Sequence, residues 1–376
     1  MIKIIADDKI PYLKGVLEPY ADIQYLPGAQ ITKEQVKEAD ALIIRTRTRC
    51  NAQLLEGSKV TFIATATIGF DHIDTSWCEQ HGITWTNAPG CNSSSVQQYI
   101  AAAIAYLAVK HKFSFRDKTI GIIGVGNVGS KIATLADILG MKYLLNDPPR
   151  ARKEGNKNFI PLEELLAASD IITFHVPLQK EGEDATWKMA DTMFLQNIKK
   201  GAFVLNSSRG EIVDNKALKE ILQTRHLGGT VLDVWENEPD IDLELLNLLD
   251  LATPHIAGYS YDGKANGTAM SIQALSHFFQ LPLTHWYPTN IEKPISSECF
   301  IECAGKSFEE IMYEAISLSY DIKRDDSNLR QNPAEFEKQR GDYAIRREFP
   351  AYTLKLKNDN TQIREVFQKL GFTIKQ

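Results

Sequence analysis

The chain has 376 residues, a net charge of −6 and a sequence pI near 5.8. The chain is longer than a domain with a single hydrophobic core usually is, so two or three domains are expected. The acidic balance argues against nucleic acid or an anionic membrane as the main partner, because both favour a basic protein surface.

The cysteines have no CxxC spacing and form no cysteine and histidine cluster of the kind that binds zinc. We therefore expect reduced thiols and no metal site. The first residues, MIKIIADDKIPYLK, place acidic side chains directly after a short apolar run, unlike a signal peptide, and no apolar run is long enough to cross a bilayer. These features predict a cytoplasmic protein.

Short apolar runs alternate with amphipathic segments through most of the chain, which is typical of parallel sheets covered by helices. The apolar runs predict strands at 2–6, 41–45, 60–66, 119–126, 143–147, 170–176, 202–208 and 229–235. Segments 93–111 and 265–280 predict long helices, and the first of these contains neither glycine nor proline.

The character of the sequence changes at LPLTHWYPTN (281–290), where aromatic residues and prolines mark a boundary. Downstream come helix-spaced apolar residues, an alternating strand at 352–357, a turn, a final amphipathic helix and a short strand. This order predicts a small α+β domain. Because such a domain often buries an apolar face against a second copy, we expect a homodimer.

The segment IGIIGVGNVGSKIA (120–133) sets Gly124, Gly126 and Gly129 in a GxGxxG between a predicted strand and a predicted helix. In a dinucleotide-binding turn, these glycines allow a tight turn, a close backbone approach to pyrophosphate and tight packing of helix on strand. A glycine-rich turn used only for packing is the alternative. The predicted cofactor-binding turn is Gly124, Gly126, Asn127, Val128 and Gly129.

Asp147 follows at the end of the next predicted strand, where a carboxylate can bind the ribose hydroxyls. Its charge would repel a 2′-phosphate, so NAD is favoured over NADP, although the nearby Arg150 leaves NADP open. An aspartate that only caps a helix or turn is the alternative.

Polar stretches follow the later predicted strands: NSSRGEIVD (206–214), VLDVWENEP (231–239) and TPHIAG (253–258). Loops beyond the carboxyl ends of parallel strands gather at one crevice, so Arg209, Glu238 and His255 can meet there. An imidazole exchanges protons near neutrality, a glutamate can orient it, and an arginine binds a carboxylate. Each residue alone is more often structural or solvated, but together beside a nicotinamide they suit oxidation of a 2-hydroxy acid.

The order of GxGxxG, HVPL, NSSRGEIVD, VLDVWENEP and TPHIAG resembles the D-isomer-specific 2-hydroxyacid dehydrogenases over about residues 60–280. The resemblance implies Arg209 and Glu238 as active-site residues and His255 as the proton donor or acceptor. It also implies cofactor contacts at Asp147, Val176, Asp233 and Gly258, and substrate contacts at Thr46, Thr67 and Tyr259. Val176 departs from the family pattern, in which a threonine is familiar at this place.

The predicted fold class is α/β, with two Rossmann-like parallel-sheet domains, one flavodoxin-like and one dinucleotide-binding, plus a small α+β C-terminal dimerisation domain. The predicted substrate-binding domain is discontinuous and comprises residues 1–95 and 257–285. The NAD-binding domain is expected at 96–256 and the C-terminal domain at 286–376.

Within the family, HIAGYSYDGKANGT, the short first domain and the extra C-terminal domain resemble a branch that oxidises a phosphorylated four-carbon acid in pyridoxal 5′-phosphate synthesis. A phosphate would favour arginines, and Arg45, Arg47, Arg346 and Arg347 are candidates, the last two acting on the site of a partner subunit or lying on a solvated face. A 3-phosphoglycerate dehydrogenase and a non-catalytic NAD(H)-sensing protein are the alternatives.

Overall fold

The computed structural model describes residues 1–375 and contains three parallel sheets. The strands are β1 (Ile2–Asp7), β2 (Ala21–Leu26), β3 (Ala41–Ile44), β4 (Phe62–Thr65), β5 (Thr84–Thr86), β6 (Thr119–Ile123), β7 (Lys142–Asn146), β8 (Ile171–Phe174), β9 (Phe203–Asn206), β10 (Gly229–Leu232), β11 (Leu251–Ala252), β12 (Glu298–Glu302), β13 (Thr353–Lys357) and β14 (Thr373–Lys375).

Helices connect most of these strands, as right-handed parallel crossovers require. The α-helices are α1 (Lys33–Val36), α2 (Ala52–Leu55), α3 (Thr75–Gln80), α4 (Ser93–His111), α5 (Asn127–Leu139), α6 (Pro148–Glu154), α7 (Leu162–Ala168), α8 (Thr192–Asn197), α9 (Asn215–Gln223), α10 (Leu243–Leu248), α11 (Tyr261–Phe279), α12 (Phe308–Ser319), α13 (Ile322–Gln331), α14 (Phe336–Gly341) and α15 (Thr361–Leu370).

The chain forms two compact units. The first unit comprises Met1–Asn92 and Ser260–Glu292. Its sheet has the strand order β2, β1, β3, β4, β5, which is the flavodoxin-like order. Every residue of β3 and β4 is buried, as expected for strands covered on both faces. The chain leaves β1 on one side for β2 and returns on the other for β3, so a crevice is expected at the carboxyl ends of β1 and β3.

The second unit comprises Ser93–Tyr259 and the chain from Lys293 onward. Its larger sheet has the order β11, β10, β9, β8, β6, β7, and all neighbouring strands are parallel. Here the strand order reverses between β6 and β8. The GxGxxG turn follows β6, so the sheet places it at this reversal, where ligands bind in open α/β sheets.

The C-terminal segment, defined as residues 293–375, packs within the second unit. Its three-stranded parallel sheet, β12, β13, β14, and helix α12 share one hydrophobic core with α4 and β6. Helix α4 is buried around most of its circumference, because its alanines let neighbouring elements approach closely. The predicted division of the chain into three domains stays a prediction.

The predicted fold class is confirmed, and each strand predicted from an apolar run is present. Most are shorter than predicted, but β1 is one residue longer and β7 is shifted by one residue. Helix α4 matches 93–111, whereas α11 begins at Tyr261 rather than at residue 265. Strands β2, β5, β11 and β12 were not predicted. These strands are short or carry polar residues on an exposed face, so their apolar signal is weak.

Candidate functional site

The GxGxxG turn has the close packing that a dinucleotide fold demands. Gly124 has a φ of +83°, and a Cβ there would lie 2.6 Å from the carbonyl oxygen of His175. A Cβ at Gly129 would collide with the carbonyl oxygen of Gly124. At Gly126, by contrast, a Cβ would meet no atom within 4 Å, so the backbone is open to a ligand. The three glycines therefore fit the three separate requirements of a pyrophosphate-binding turn.

Helix α5 starts directly after Gly126, and no side chain caps its first turn. Gly126 and Asn127 are exposed and Val128 is half-buried, so the N–H groups of this turn face solvent or a ligand. The N-terminus of a helix stabilises negative charge, which suits the pyrophosphate of a dinucleotide.

Asp147 is held beside this turn. Its Oδ2 accepts a hydrogen bond from the Val125 N–H at 2.8 Å, and its Oδ1 caps α6 by accepting from the Arg150 N–H at 3.0 Å. Each oxygen keeps a lone pair for a ribose hydroxyl. The Arg150 guanidinium binds both carboxylate oxygens of Glu154 at 2.8 Å and donates to the carbonyl of Val125. With its charge matched by Glu154, Arg150 no longer argues for the 2′-phosphate of NADP.

His255 and Glu238 form the central pair of the candidate site. Nδ1 of His255 lies 2.8 Å from Oε2 of Glu238, and Oε1 of Glu238 accepts from the Trp235 N–H at 3.0 Å. Burial raises the pKa of Glu238, but the hydrogen bond and charge of His255, the Trp235 N–H and the charge of Arg340 lower it further than burial raises it. The carboxylate therefore accepts the Nδ1 proton, which leaves Nε2 of His255 to exchange a proton with a ligand.

Asp233 fixes the loop that carries His255. Its side chain is buried and accepts hydrogen bonds from Thr253 Oγ1 at 2.6 Å, Ile256 N at 2.8 Å and Ala257 N at 2.9 Å. Its own carbonyl accepts from the His255 N–H at 2.7 Å. Burial raises the pKa of Asp233, against the opposing effects of His255 and these donors. The loop holds His255 at a φ of +55°, a conformation that non-glycine residues seldom adopt.

Arg209 lies on the loop after β9. Asn206 Nδ2 donates to the Arg209 carbonyl at 2.9 Å, and the next residue, Gly210, packs so tightly that a Cβ would collide with the Trp235 carbonyl. The Arg209 loop is thus pressed against the loop that leads to Glu238. The guanidinium is half-buried and donates to the Ser208 carbonyl at 2.8 Å.

The remaining predicted cofactor residues of the second unit flank these groups. Val176 lies against Gly124, since its Cγ1 would be 2.6 Å from a Cβ there. His175 bonds Thr173 Oγ1 through Nε2 at 2.9 Å, and burial lowers its pKa to about 3. His175 is therefore a neutral structural residue. Gly258 is half-buried and directly follows Ala257, whose N–H bonds Asp233.

Thr67 and Thr46, the predicted substrate residues of the first unit, follow β4 and β3. Thr67 Oγ1 donates to the Gly69 carbonyl at 2.9 Å and lies 2.8 Å from Thr65 Oγ1, so the side chain shapes the turn. Thr46 is exposed in the loop after β3. Roles in substrate binding stay predictions for both residues.

A pair of cations occupies the same edge of the first sheet. Arg45 follows β3 and its Nε lies 3.4 Å from Oδ2 of the buried Asp7. Helix α11 carries Lys264 in its first turn. Burial and the charge of Arg45 lower the pKa of Lys264, with Glu292 acting in the opposite direction. Lys264 was not among the predicted site residues, although it lies in the stretch HIAGYSYDGKANGT.

Arg346, one of the candidate phosphate ligands, is only 3% exposed, so neither phosphate binding nor a solvated face fits it. Its guanidinium is used inside the second unit. It donates to Gln98 Oε1 at 2.9 Å, to the Ser95 carbonyl at 2.6 Å and to the carbonyls of Ile256 and Ala257 at 3.3 Å. It also stacks on the ring of Tyr320. Arg346 therefore ties the C-terminal segment to the His255 loop.

Within residues 1–375, no three or more metal-binding side chains are grouped so as to hold an ion. Over the same residues, no helix combines the length and apolarity that crossing a membrane requires.

Two stretches of this chain match known protein families. Residues 97–257 match the family described as "D-isomer specific 2-hydroxyacid dehydrogenase, NAD binding domain". Residues 299–371 match a "Domain of unknown function (DUF3410)". The first match contains the GxGxxG turn, Asp147 and the three predicted catalytic residues.

Curated relatives match along nearly the whole chain. The erythronate-4-phosphate dehydrogenase of Bacteroides fragilis is 51% identical over 355 residues, covering 94% of this chain and 99% of that protein. The enzyme of the same name from Proteus mirabilis is 40% identical over 374 residues, covering 99% of each.

Among solved structures, D-lactate dehydrogenase from Aquifex aeolicus, complexed with NAD and lactic acid, has a TM-score of 0.62 at 25% identity and covers 75% of this chain and 96% of that one. NAD-bound 3-phosphoglycerate dehydrogenase from Entamoeba histolytica has a TM-score of 0.62 at 24% identity, covering 75% and 97%, and shows the shared fold. The two enzyme structures share the fold and carry NAD.

Proposed function

Because this chain belongs to the erythronate-4-phosphate dehydrogenases, NAD-dependent enzymes of the D-isomer-specific 2-hydroxyacid dehydrogenase family, we propose that it oxidises 4-phospho-D-erythronate at C2 to (R)-3-hydroxy-2-oxo-4-phosphooxybutanoate. This step belongs to the synthesis of pyridoxal 5′-phosphate. The observation that carries the proposal is the pair of His255 and Glu238, with Nδ1 and Oε2 2.8 Å apart, in the unit that holds the dinucleotide turn.

The proton leaves through His255. Since Glu238 engages Nδ1, the lone pair on Nε2 takes the proton of the C2 hydroxyl as the carbonyl forms. Glu238 then stabilises the imidazolium through the same hydrogen bond. The rigid loop held by Asp233 keeps the ring in place, so little reorganisation is needed during the reaction.

Arg209 supplies the permanent cation. Its planar guanidinium matches a carboxylate and polarises the C2 oxygen as its double bond to carbon develops. By comparison with single oxyanion donors, this contribution is about 3 kcal/mol.

NAD, when bound, accepts the hydride that leaves C2. The open backbone at Gly126 and the first turn of α5 would hold its pyrophosphate, and Asp147 its ribose hydroxyls. Val176, Asp233 and Gly258 stay predicted cofactor contacts.

The substrate phosphate binds, in this proposal, at Arg45 and Lys264. Two cations that repel one another at partly buried positions gain stability when an anion binds both. The helix containing Lys264 supports this placement, because Thr268, one turn later, donates to the Pro11 carbonyl beyond β1 at 2.9 Å. Thr46, Thr67 and Tyr259 are the other proposed substrate contacts.

We further propose a cytoplasmic homodimer assembled through the C-terminal segment. Strand β12 is an edge strand, and the side chain of Phe300 on its outer face is 60% exposed. The cysteines are free and buried, which agrees with a reducing compartment. Sedimentation equilibrium of wild type and Phe300→Glu tests the dimer, since a monomeric wild type would overturn it.

The reaction is tested by following reduced nicotinamide with 4-phospho-D-erythronate, 3-phospho-D-glycerate and D-lactate as substrates. We expect kcat/KM for the first to exceed that for the others by about tenfold or more, as shape-matched sites discriminate between small acids. An equal or higher kcat/KM for 3-phospho-D-glycerate would show that 4-phospho-D-erythronate is not the preferred substrate. Reduction of NAD by the His255→Asn variant at the wild-type rate would overturn the proton path.

A further inference from the structure

The C-terminal segment brings a cation to the candidate active site. Arg340 lies on α14 and points at the residues beside the His255 loop. Its Nη2 donates to the Tyr259 hydroxyl at 3.4 Å, and its Cζ lies 5.9 Å from the centre of the Tyr259 ring. Both residues belong to the second unit, so this contact is internal to one compact body.

The Arg340 side chain is anchored but incompletely bonded. Nη1 binds Glu337 Oε1 at 3.0 Å, one turn earlier, and the group rests near the Phe336 ring. The side chain is 21% exposed, yet its Nε is buried and has no hydrogen-bond partner among the described residues. A buried donor left unbonded is unfavourable, so its retention needs a reason beyond packing.

The surroundings of Arg340 favour the charged form of its guanidinium. Burial opposes the charged guanidinium, whereas Tyr259, Glu238 and Glu337 favour it. The effect is mutual, because the charged groups that act on Glu238 are His255, through a direct hydrogen bond, and Arg340.

We propose that Arg340 is a positioning residue of the active site, which holds the Tyr259 ring next to the His255 loop. Its positive charge in addition favours the carboxylate form of Glu238. The segment matched only by a domain of unknown function thereby acquires a role in the reaction of its own subunit. A carboxylate at Glu238 fixes the proton on Nδ1 of His255, which keeps Nε2 ready to accept the substrate proton. The kinetic part of this inference rests on the proposed function.

The first experiment needs no substrate. The carboxyl carbon of Glu238 is titrated by carbon-13 NMR in the full-length protein, with the resonance assigned from Glu238→Gln. Wild type, Arg340→Gln and Arg340→Lys are compared, with Arg324→Gln as a control on the same segment, since Arg324 is half-exposed and pairs with Asp325. We expect the midpoint of Glu238 to rise in Arg340→Gln and to stay near wild type in Arg340→Lys and Arg324→Gln.

The second experiment measures kcat and KM against pH for the same variants. We expect Arg340→Gln to lose about tenfold in kcat/KM, with its acidic limb moved to higher pH, while NAD affinity stays at the wild-type value. Arg340→Lys should recover the position of the limb. Tyr259→Phe removes the hydroxyl contact without the charge, so it should raise KM and leave the limb in place.

An unchanged Glu238 midpoint in Arg340→Gln would overturn the inference. So would equal shifts in Arg340→Gln and Arg340→Lys, since a packing role alone would explain both. If the NMR shift appears but no variant or wild type oxidises 4-phospho-D-erythronate, the proposed substrate fails and the role of Arg340 stands.

Discussion

Glu238 and His255 are bonded through Oε2 and Nδ1 at 2.8 Å, and the same carboxylate accepts the Trp235 N–H through its other oxygen. The glutamate is thus fixed at both oxygens before any ligand arrives. Substitutions at the two residues should therefore have unequal effects, because His255 exchanges the proton and Glu238 only orients the imidazole.

We expect His255→Asn to lower kcat by about 10²–10⁴-fold, the usual contribution of a general acid or base. Asparagine is chosen because it tolerates the positive φ of this position. Glu238→Gln should cost less, since the ring remains. Steady-state reduction of nicotinamide measures both, and NAD affinity, measured by fluorescence titration, should be unchanged. A His255→Asn variant with wild-type turnover would contradict the mechanism.

Arg209→Lys should lower kcat/KM by about 10²-fold, because a lysine keeps the charge but loses the planar match to a carboxylate. The exposed Arg152, which pairs with Glu183 and Asp184, provides the control Arg152→Lys. Full activity in Arg209→Lys would mean that the guanidinium geometry plays no part in the reaction.

Two of the three glycines of the turn allow cofactor binding to be tested separately from folding. Gly126→Ala should weaken NAD binding by about tenfold or more while the melting temperature stays constant, because the new methyl group meets no protein atom. Gly129→Ala should lower the free energy of unfolding by about 1–3 kcal/mol, since its methyl group meets the Gly124 carbonyl. Calorimetry with and without NAD distinguishes them. A stable Gly126→Ala variant with wild-type NAD affinity would mean that the pyrophosphate binds elsewhere.

Lys264→Gln should raise KM for the phosphorylated acid by about tenfold, which corresponds to the loss of one charge-assisted hydrogen bond. Oxidation of unphosphorylated D-erythronate should be unaffected, since it lacks the anion. Lys33→Gln is the matched control, because Lys33 belongs to the same unit and pairs only weakly with Glu56. Equal losses with both substrates would exclude Lys264 from the phosphate site.

His175 predicts a loss of stability in acid. Its pKa is about 3 in the folded protein, whereas a histidine in the unfolded chain has a pKa of about 6.5. Between these values the unfolded state binds a proton that the folded state does not, so stability falls as pH decreases from about 6.5, by up to about 1.4 kcal/mol per pH unit. Urea unfolding of His175→Gln should show a flatter dependence than wild type, with the exposed His277→Gln as control. Parallel curves for His175→Gln and wild type would contradict this.

Local features of the site could be predicted from the sequence, because each is encoded within a few residues. The glycine turn, Asp147 and the strands that precede Arg209 and His255 all depend on short-range patterns. The pairing of His255 with Glu238 could also be predicted, since both residues follow neighbouring strands of one sheet.

Contacts that join distant segments could not be predicted. Arg346 bonds Gln98 across 248 positions, and nothing in its own neighbourhood distinguishes it from a surface arginine. Arg340 and Lys264 are similar cases, because their roles depend on burial beside Tyr259 and Arg45. Tertiary placement, and not residue type, separates a solvated arginine from a structural or functional one.

The guanidinium of Arg346 also limits how this enzyme could be shortened. The carbonyls of Ser95, Ile256 and Ala257 accept hydrogen bonds from this side chain, which belongs to the C-terminal segment. A variant truncated before residue 293 would expose these acceptors and the apolar flank of α4 together. The C-terminal segment thus completes the packing of the unit that carries the catalytic residues, and we expect its removal to lower both solubility and turnover.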